Sequence, residues 1–181
     1  MPHPFPTPDG PIPDWNLGSV VASLRKSREI THNVRHKGRV RELPSREALS
    51  QIVQGLSAAL FPTHYGRPDL TDESIDYFVG YTLHDTLTVL AEQVRRGLLF
   101  VTEGELGEND PTLALKAGEI TREFASQLPE IRALLVSDLQ AAFQGDPAAT
   151  SVSEILLSYP GMTAIISYRI AHALFKLGAP L

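Results

Sequence analysis

Cysteine is absent from the 181-residue sequence, which excludes disulfides, thiolate zinc sites and a thiol nucleophile. Long apolar runs are missing as well: none reaches the ~18 residues that a membrane span needs. The N-terminus carries prolines where a secretory signal would carry a basic and then an apolar segment, so no such signal is read there. Together these absences lead to the expectation of a cytoplasmic protein. The formal net charge of −5 gives no basic field, and nucleic acid is not expected as a partner. The two cationic patches, Arg25-Lys26-Ser27-Arg28 and Arg35-His36-Lys37-Gly38-Arg39-Val40-Arg41, read as solvated helix surface and turn. Strand-period alternation and internal repeats are also missing. The chain has no Gly-rich phosphate loop, no His-Glu-x-x-His and no Gly-x-Ser-x-Gly.

Proline and helical periodicity are what the chain does have. Six of its fourteen prolines fall within residues 1–13, and a segment so poor in backbone donors is expected as an extended, disordered arm. From residue 14 onward the apolar spacing predicts an all-α fold of about seven helices. The first is expected over 14–36, along Leu17, Val20, Val21, Leu24 and Ile30, with Gly38 ending it. The second starts at Ser45 and follows Leu49, Ile52, Val53, Leu56 and Leu60 to Pro62. A turn-rich segment then leads to the longest helix, from Thr71 or Asp72 to Gly97, and Leu98–Gly107 reads as an acidic loop or a short extension. Asn109-Asp110-Pro111 is a strong start. Pro129 is expected to divide the stretch from there to Gly145 into two helices. Ser151-x-x-Glu154 has the form of a capping box, and Tyr159-Pro160-Gly161 cuts its helix short. Met162–Leu177 is apolar nearly all round and is expected to be buried on more than one side. Gly178 and Pro180 stop it.

Few side chains exceed these structural needs. His32 and His36 share a face at i, i+4, a metal-ligand spacing, but Arg35 and Lys37 flank them and no carboxylate joins them; a surface pair is expected. One of His84 and Asp85 is expected to meet a neighbouring helix. Arg169 and His172, at i, i+3 on an apolar helix, need a partner such as Asp138, Asp146 or Glu154. Taken by itself, Asp146, between Gly145 and Pro147, is a turn or cap residue.

A resemblance adds to this reading. Asp146-Pro147-Ala148-Ala149, Ser153-Glu154-Ile155, Tyr159-Pro160-Gly161 and Tyr168-Arg169-Ile170-Ala171-His172 closely resemble the last helices of the N-terminal domain of bacterial serine acetyltransferases. Leu60-Phe61-Pro62, Leu128-Pro129-x-Ile131-Arg132 and Asp138-Leu139-Gln140-Ala141 look like the longer-armed branch of that family. The likeness is specific over residues 128–181, looser over 45–127, and does not extend into the proline-rich arm.

The resemblance implies a domain over 14–181 that precedes a left-handed β-helix of hexapeptide repeats. In the family that second domain supplies the acetyl-CoA cleft and the histidine acting as general base on serine. This sequence contains no such repeats. The base, its carboxylate partner, the CoA-binding residues and the tail that docks on cysteine synthase are therefore outside it. The chain alone is expected to be a truncated, inactive part of a serine O-acetyltransferase in cysteine biosynthesis. Its roles would be assembly into the family's homo-oligomer, a trimer or hexamer, and completion of the serine pocket. One family site residue carries over: Asp146 matches the aspartate that helps bind L-serine. Arg169, His172, Glu154 and Asp138 are expected as structural polar contacts, with no metal and no cofactor beyond acetyl-CoA as co-substrate. The alternatives are a stand-alone, non-catalytic interaction or regulatory module, and another acyltransferase of the same superfamily.

Overall fold

The structure, a computed structural model, describes residues 15–31, 35–36, 39–40, 43–102, 107 and 110–180. The expected proline-rich arm, His32, Gly38, Asn109 and Leu181 lie outside these residues. Two compact units divide the chain, Met1–Arg41 and Glu42–Leu181.

In the first unit, helix α1 runs Leu17–Thr31, and a two-residue antiparallel ladder pairs β1 (Arg35–His36) with β2 (Arg39–Val40). The helix thus stops short of the expected His36, which sits in the ladder. Leu17, Val20, Val21 and Leu24 are all exposed.

Among the described residues six helices build the second unit: α2 (Arg46–Leu60), α3 (Pro62–Tyr65), α4 (Ile75–Val101), α5 (Pro111–Gly145), α6 (Val152–Ser158) and α7 (Pro160–Lys176). Ser45 caps α2, its side chain accepting from the Ala48 N–H, and its own N–H donates to Oε1 of the buried Gln93 on α4 at 2.8 Å. That bond satisfies a polar group that burial would otherwise leave costly. Lower down, α2 and α4 pack so closely that a Cβ on Gly55 would fall 2.2 Å from Thr86 Oγ1. Only glycine allows that approach. Thr86 is the buried polar side chain of this stretch, whereas His84 and Asp85 both point to solvent, contrary to expectation. The α4 helix also continues past Gly97 to Val101, the short extension that was the alternative to a loop there.

Pro129 does not break α5, and the apolar spacing shows why. Leu113, Ala117, Ile120, Phe124, Leu128, Ile131, Leu135 and Leu139 are buried along this one helix. Their intervals of three and four form an unbroken stripe across the proline. Proline inside a helix removes one hydrogen bond and costs about 3 kcal/mol. Here Pro129 is on the exposed side, where water can take up the released carbonyl. Each buried Leu, Ile or Phe contributes about 1.5–3 kcal/mol, so the stripe outweighs the proline.

Arg132, one turn beyond Pro129, donates from Nε to the Leu60 carbonyl at 2.9 Å, with its guanidinium 5.5 Å from the centre of the Phe61 ring. It thereby caps the end of α2. Phe124, Leu56, Leu135, Ile155 and Ile166 are the largest fully buried side chains, and they join α2, α5, α6 and α7 in one core.

α7 buries only one side, through Met162, Ile166, Ile170 and Ala173, while Tyr168 and Phe175 are 61% and 76% exposed. The expectation of burial on more than one side is corrected accordingly. The helix ends in a Schellman motif: Gly178, at φ +84°, donates to the Phe175 carbonyl and Ala179 to that of Leu174, each at 3.0 Å. Glycine takes that left-handed φ without a Cβ penalty.

Candidate functional site

The end of α5 and the junction of α6 with α7 gather most of the polar residues singled out in the sequence. Gly145 is the last residue of α5, and Asp146 comes next, in an extended conformation, as its C-cap. Its Oδ1 accepts the Ala148 N–H at 2.9 Å, and its carbonyl accepts the Ala149 N–H at 3.1 Å. Aspartate favours such a turn because its short side chain reaches its own backbone two residues on. Pro147 in the middle limits the freedom of that turn.

The second oxygen of Asp146 is held from elsewhere. The Tyr159 hydroxyl donates to Oδ2 at 2.7 Å. Tyr159 is at once the C-cap of α6 and the N-cap of α7, with its N–H on the Ile155 carbonyl and Pro160 next, at the first helical position. Both helix ends thus fix its backbone. The Tyr159 phenol, and then the Ala148 amide, draw the Asp146 carboxyl below its usual value, and the same carboxylate raises the Tyr159 phenol. The bond between them favours the charged form of Asp146 and the neutral form of Tyr159, so one value falls and the other rises.

Glu154 forms only half of the expected capping box. Its N–H donates to Ser151 Oγ at 3.1 Å, but its carboxylate reaches Thr150, accepting the N–H at 2.8 Å and the hydroxyl at 2.6 Å. Those bonds from Thr150, side chain first, lower the Glu154 carboxyl, while the negative charge of Asp146 opposes them. Among the described residues no ion pair joins either carboxylate to a cation.

Asp138, two turns earlier on α5, is different. Arg169 of α7 grips it with a fork, Nε to Oδ2 at 2.5 Å and Nη2 to Oδ1 at 2.7 Å. The bond to Asp138 raises the guanidinium further above its ordinary value. Of the three carboxylates within the sequence's reach of Arg169, the fold selects this one. His172 does not join the pair; its ring stacks on Tyr168, centroids 5.4 Å apart.

Sequence reasoning passed over Tyr159 as a ligand of Asp146, because a helix break at Tyr-Pro-Gly explains that residue locally. It also passed over His64 of α3, whose Nδ1 meets Thr63 Oγ1 and whose Nε2 meets Ser153 Oγ of α6, each at 3.0 Å. No signal in the sequence links positions 89 residues apart. Beside Tyr159, a groove of about 540 Å³ runs along the α6–α7 corner, lined by Leu157, Pro160, Thr163 and Ser167 among others. Among the described residues no three His, Asp or Glu side chains gather as metal ligands, and no helix is long and apolar enough to cross a membrane.

An all-α domain whose cap aspartate is locked at both oxygens is the class that fold and site define. Comparison with known proteins narrows it. Residues 86–167 match the family model "Serine acetyltransferase, N-terminal". A plasmid-encoded serine acetyltransferase of Synechococcus elongatus is 47% identical over 172 residues, 92% of this chain and 53% of that protein. The serine acetyltransferase of Bacillus subtilis is 49% identical over 43 residues, 24% of this chain and 20% of its own length. The crystal structure of serine acetyltransferase isoform 3 from Entamoeba histolytica, in complex with cysteine, shares the fold. It has a TM-score of 0.54 at 24% identity, over 90% of this chain and 51% of that one. The chain belongs to the serine acetyltransferase N-terminal family. It spans about half the length of the Synechococcus relative.

Proposed function

We propose that this chain is the helical N-terminal part of a cytoplasmic serine O-acetyltransferase, which moves the acetyl group of acetyl-CoA to the hydroxyl of L-serine. In that reading the domain serves assembly and finishes the serine pocket, with Asp146 accepting the substrate ammonium. One observation carries the assignment: Asp146 is held at both oxygens by neutral donors and has no cationic partner among the described residues. A carboxylate offers about four lone-pair sites, so each oxygen keeps one for an ammonium N–H. Such charge-assisted bonds orient a substrate as well as bind it. The matched family and the relatives' names support the choice of serine and acetyl-CoA. The exposed Tyr168 and Phe175 on α7 support a role in assembly, since large apolar side chains left uncovered together favour contact with a partner surface.

The test uses the full-length gene product in which these residues stand. Asp146→Asn keeps the turn acceptor and removes the charge. The KM for serine should rise about tenfold to hundredfold, the scale of a charge-assisted bond, with the KM for acetyl-CoA unmoved. Equal changes in both would reduce Asp146 to a helix stop. The isolated 181-residue chain should show no turnover, and activity matching the full-length protein would sink the reading.

A further inference from the structure

We propose that Tyr159 is a positioning residue for the serine-ammonium subsite, acting through Oδ2 of Asp146; the inference rests on the reading of Asp146 as the ammonium acceptor. The Asx turn alone fixes one oxygen of a carboxylate and leaves the other to choose its own donor. A carboxylate anchored once can still swing its second oxygen between water and ligand. The phenol at 2.7 Å removes that freedom. It does so without adding positive charge, so the site keeps its full attraction for an ammonium. A lysine or arginine in the same place would also fix the oxygen but would neutralise it and compete with the ligand.

Tyr159 is built for such a task. Its backbone is fixed on both sides, by its N–H on the Ile155 carbonyl at 3.2 Å and by its carbonyl accepting the Met162 N–H at 2.9 Å. A phenol has only two side-chain torsions, so ordering it costs little entropy. The next carboxylate, Glu154, is occupied with Thr150 and does not draw the phenol away. The bond therefore joins two segments 13 residues apart into one rigid corner. Tyr159 also lines the groove that Pro160 and Thr163 border.

The experiment is a double-mutant cycle on the full-length protein, with Tyr159→Phe, Asp146→Asn and the pair. Tyr159→Phe keeps the ring and loses only the hydroxyl. Its KM for serine should rise about fivefold to tenfold, the scale of one net hydrogen bond, with the KM for acetyl-CoA unmoved and the melting temperature lowered by at most a few degrees. In the Asp146→Asn background the same substitution should do almost nothing, because a residue that acts through Asp146 loses its effect with the charge. A KM unchanged in Tyr159→Phe, or raised for both substrates, overturns the inference. So does an undiminished effect in the double variant. If Asp146→Asn itself spares the serine KM, the reading of Asp146 has failed instead.

Discussion

Asp138 and Asp146 stand eight residues apart near the end of the same helix, yet the fold treats them in opposite ways. Asp138 meets a bidentate arginine from α7, and both partners are about three-quarters covered. Asp146 meets an amide and a phenol, and no cation among the described residues reaches it. The first arrangement cancels charge and fastens two helices. The second holds a carboxylate still and leaves its charge uncancelled, which is what a site for a cationic group requires. The difference separates structure from function more sharply than residue type, since both are aspartates in segments resembling the same family.

The largest effect should come from what the two sites share. Leu135 is fully buried on α5, close in sequence to Asp138 and Asp146. Leu135→Ala should cost about 2–5 kcal/mol, as a large-to-small change in a packed core does. Urea unfolding reads the loss, and the Asp138 and Asp146 contacts should weaken together. If one survives intact while the other melts, the core under α5 does not support both aspartates as a single framework.

Isosteric neutralisation should then pull the pair apart. Asp138→Asn strands a part-buried arginine and should cost about 1–3 kcal/mol, less than a fully buried pair because a quarter of each side chain is in water. Asp146→Asn strands no charge and should lower the urea midpoint only slightly, through weaker Ala148 and Tyr159 bonds. Equal losses would mean that Asp146 is as structural as Asp138, and the contrast would collapse.

Much of the fold was legible from residue spacing, because helical periodicity and caps are local. The starts at Ser45, Asp110 and Ser151 and the stop at Gly178 each depend on a few neighbouring residues. Pro129 misled because its local penalty is visible while the stripe that outweighs it runs the length of α5. Among the singled-out residues, Asp146 was picked out by a family motif, and the need of Arg169 for a partner was legible through its apolar surroundings. Which carboxylate would answer Arg169 was not, nor was the Tyr159 hydroxyl on Asp146, since both are settled by how α5, α6 and α7 pack. Leu60-Phe61-Pro62 and Leu128-Pro129-x-Ile131-Arg132 were read as separate matches, and only folding brings Arg132 onto Leu60 and Phe61.

The smallest effect is also the most specific to Asp146. Its carboxyl titrates below the ordinary 3.8, through the Tyr159 phenol first and the Ala148 amide second. A group whose folded value is depressed contributes stability that is fully present above its unfolded value and is lost as pH falls through the folded one. The window therefore lies below about pH 4, where carbon-detected NMR can follow the Asp146 carboxyl directly. Its midpoint should fall below 3.8 in the wild-type chain and rise in Tyr159→Phe. It should stay somewhat depressed there, because the Ala148 N–H remains. Glu154 is held instead by Thr150, so its own midpoint should barely respond to the substitution. A wild-type midpoint at or above 3.8, or one that ignores the loss of the phenol, would mean that Tyr159 does not hold the charged form. Asp146 would then be anchored at one oxygen only, and the contrast with the doubly gripped Asp138 would rest on charge alone.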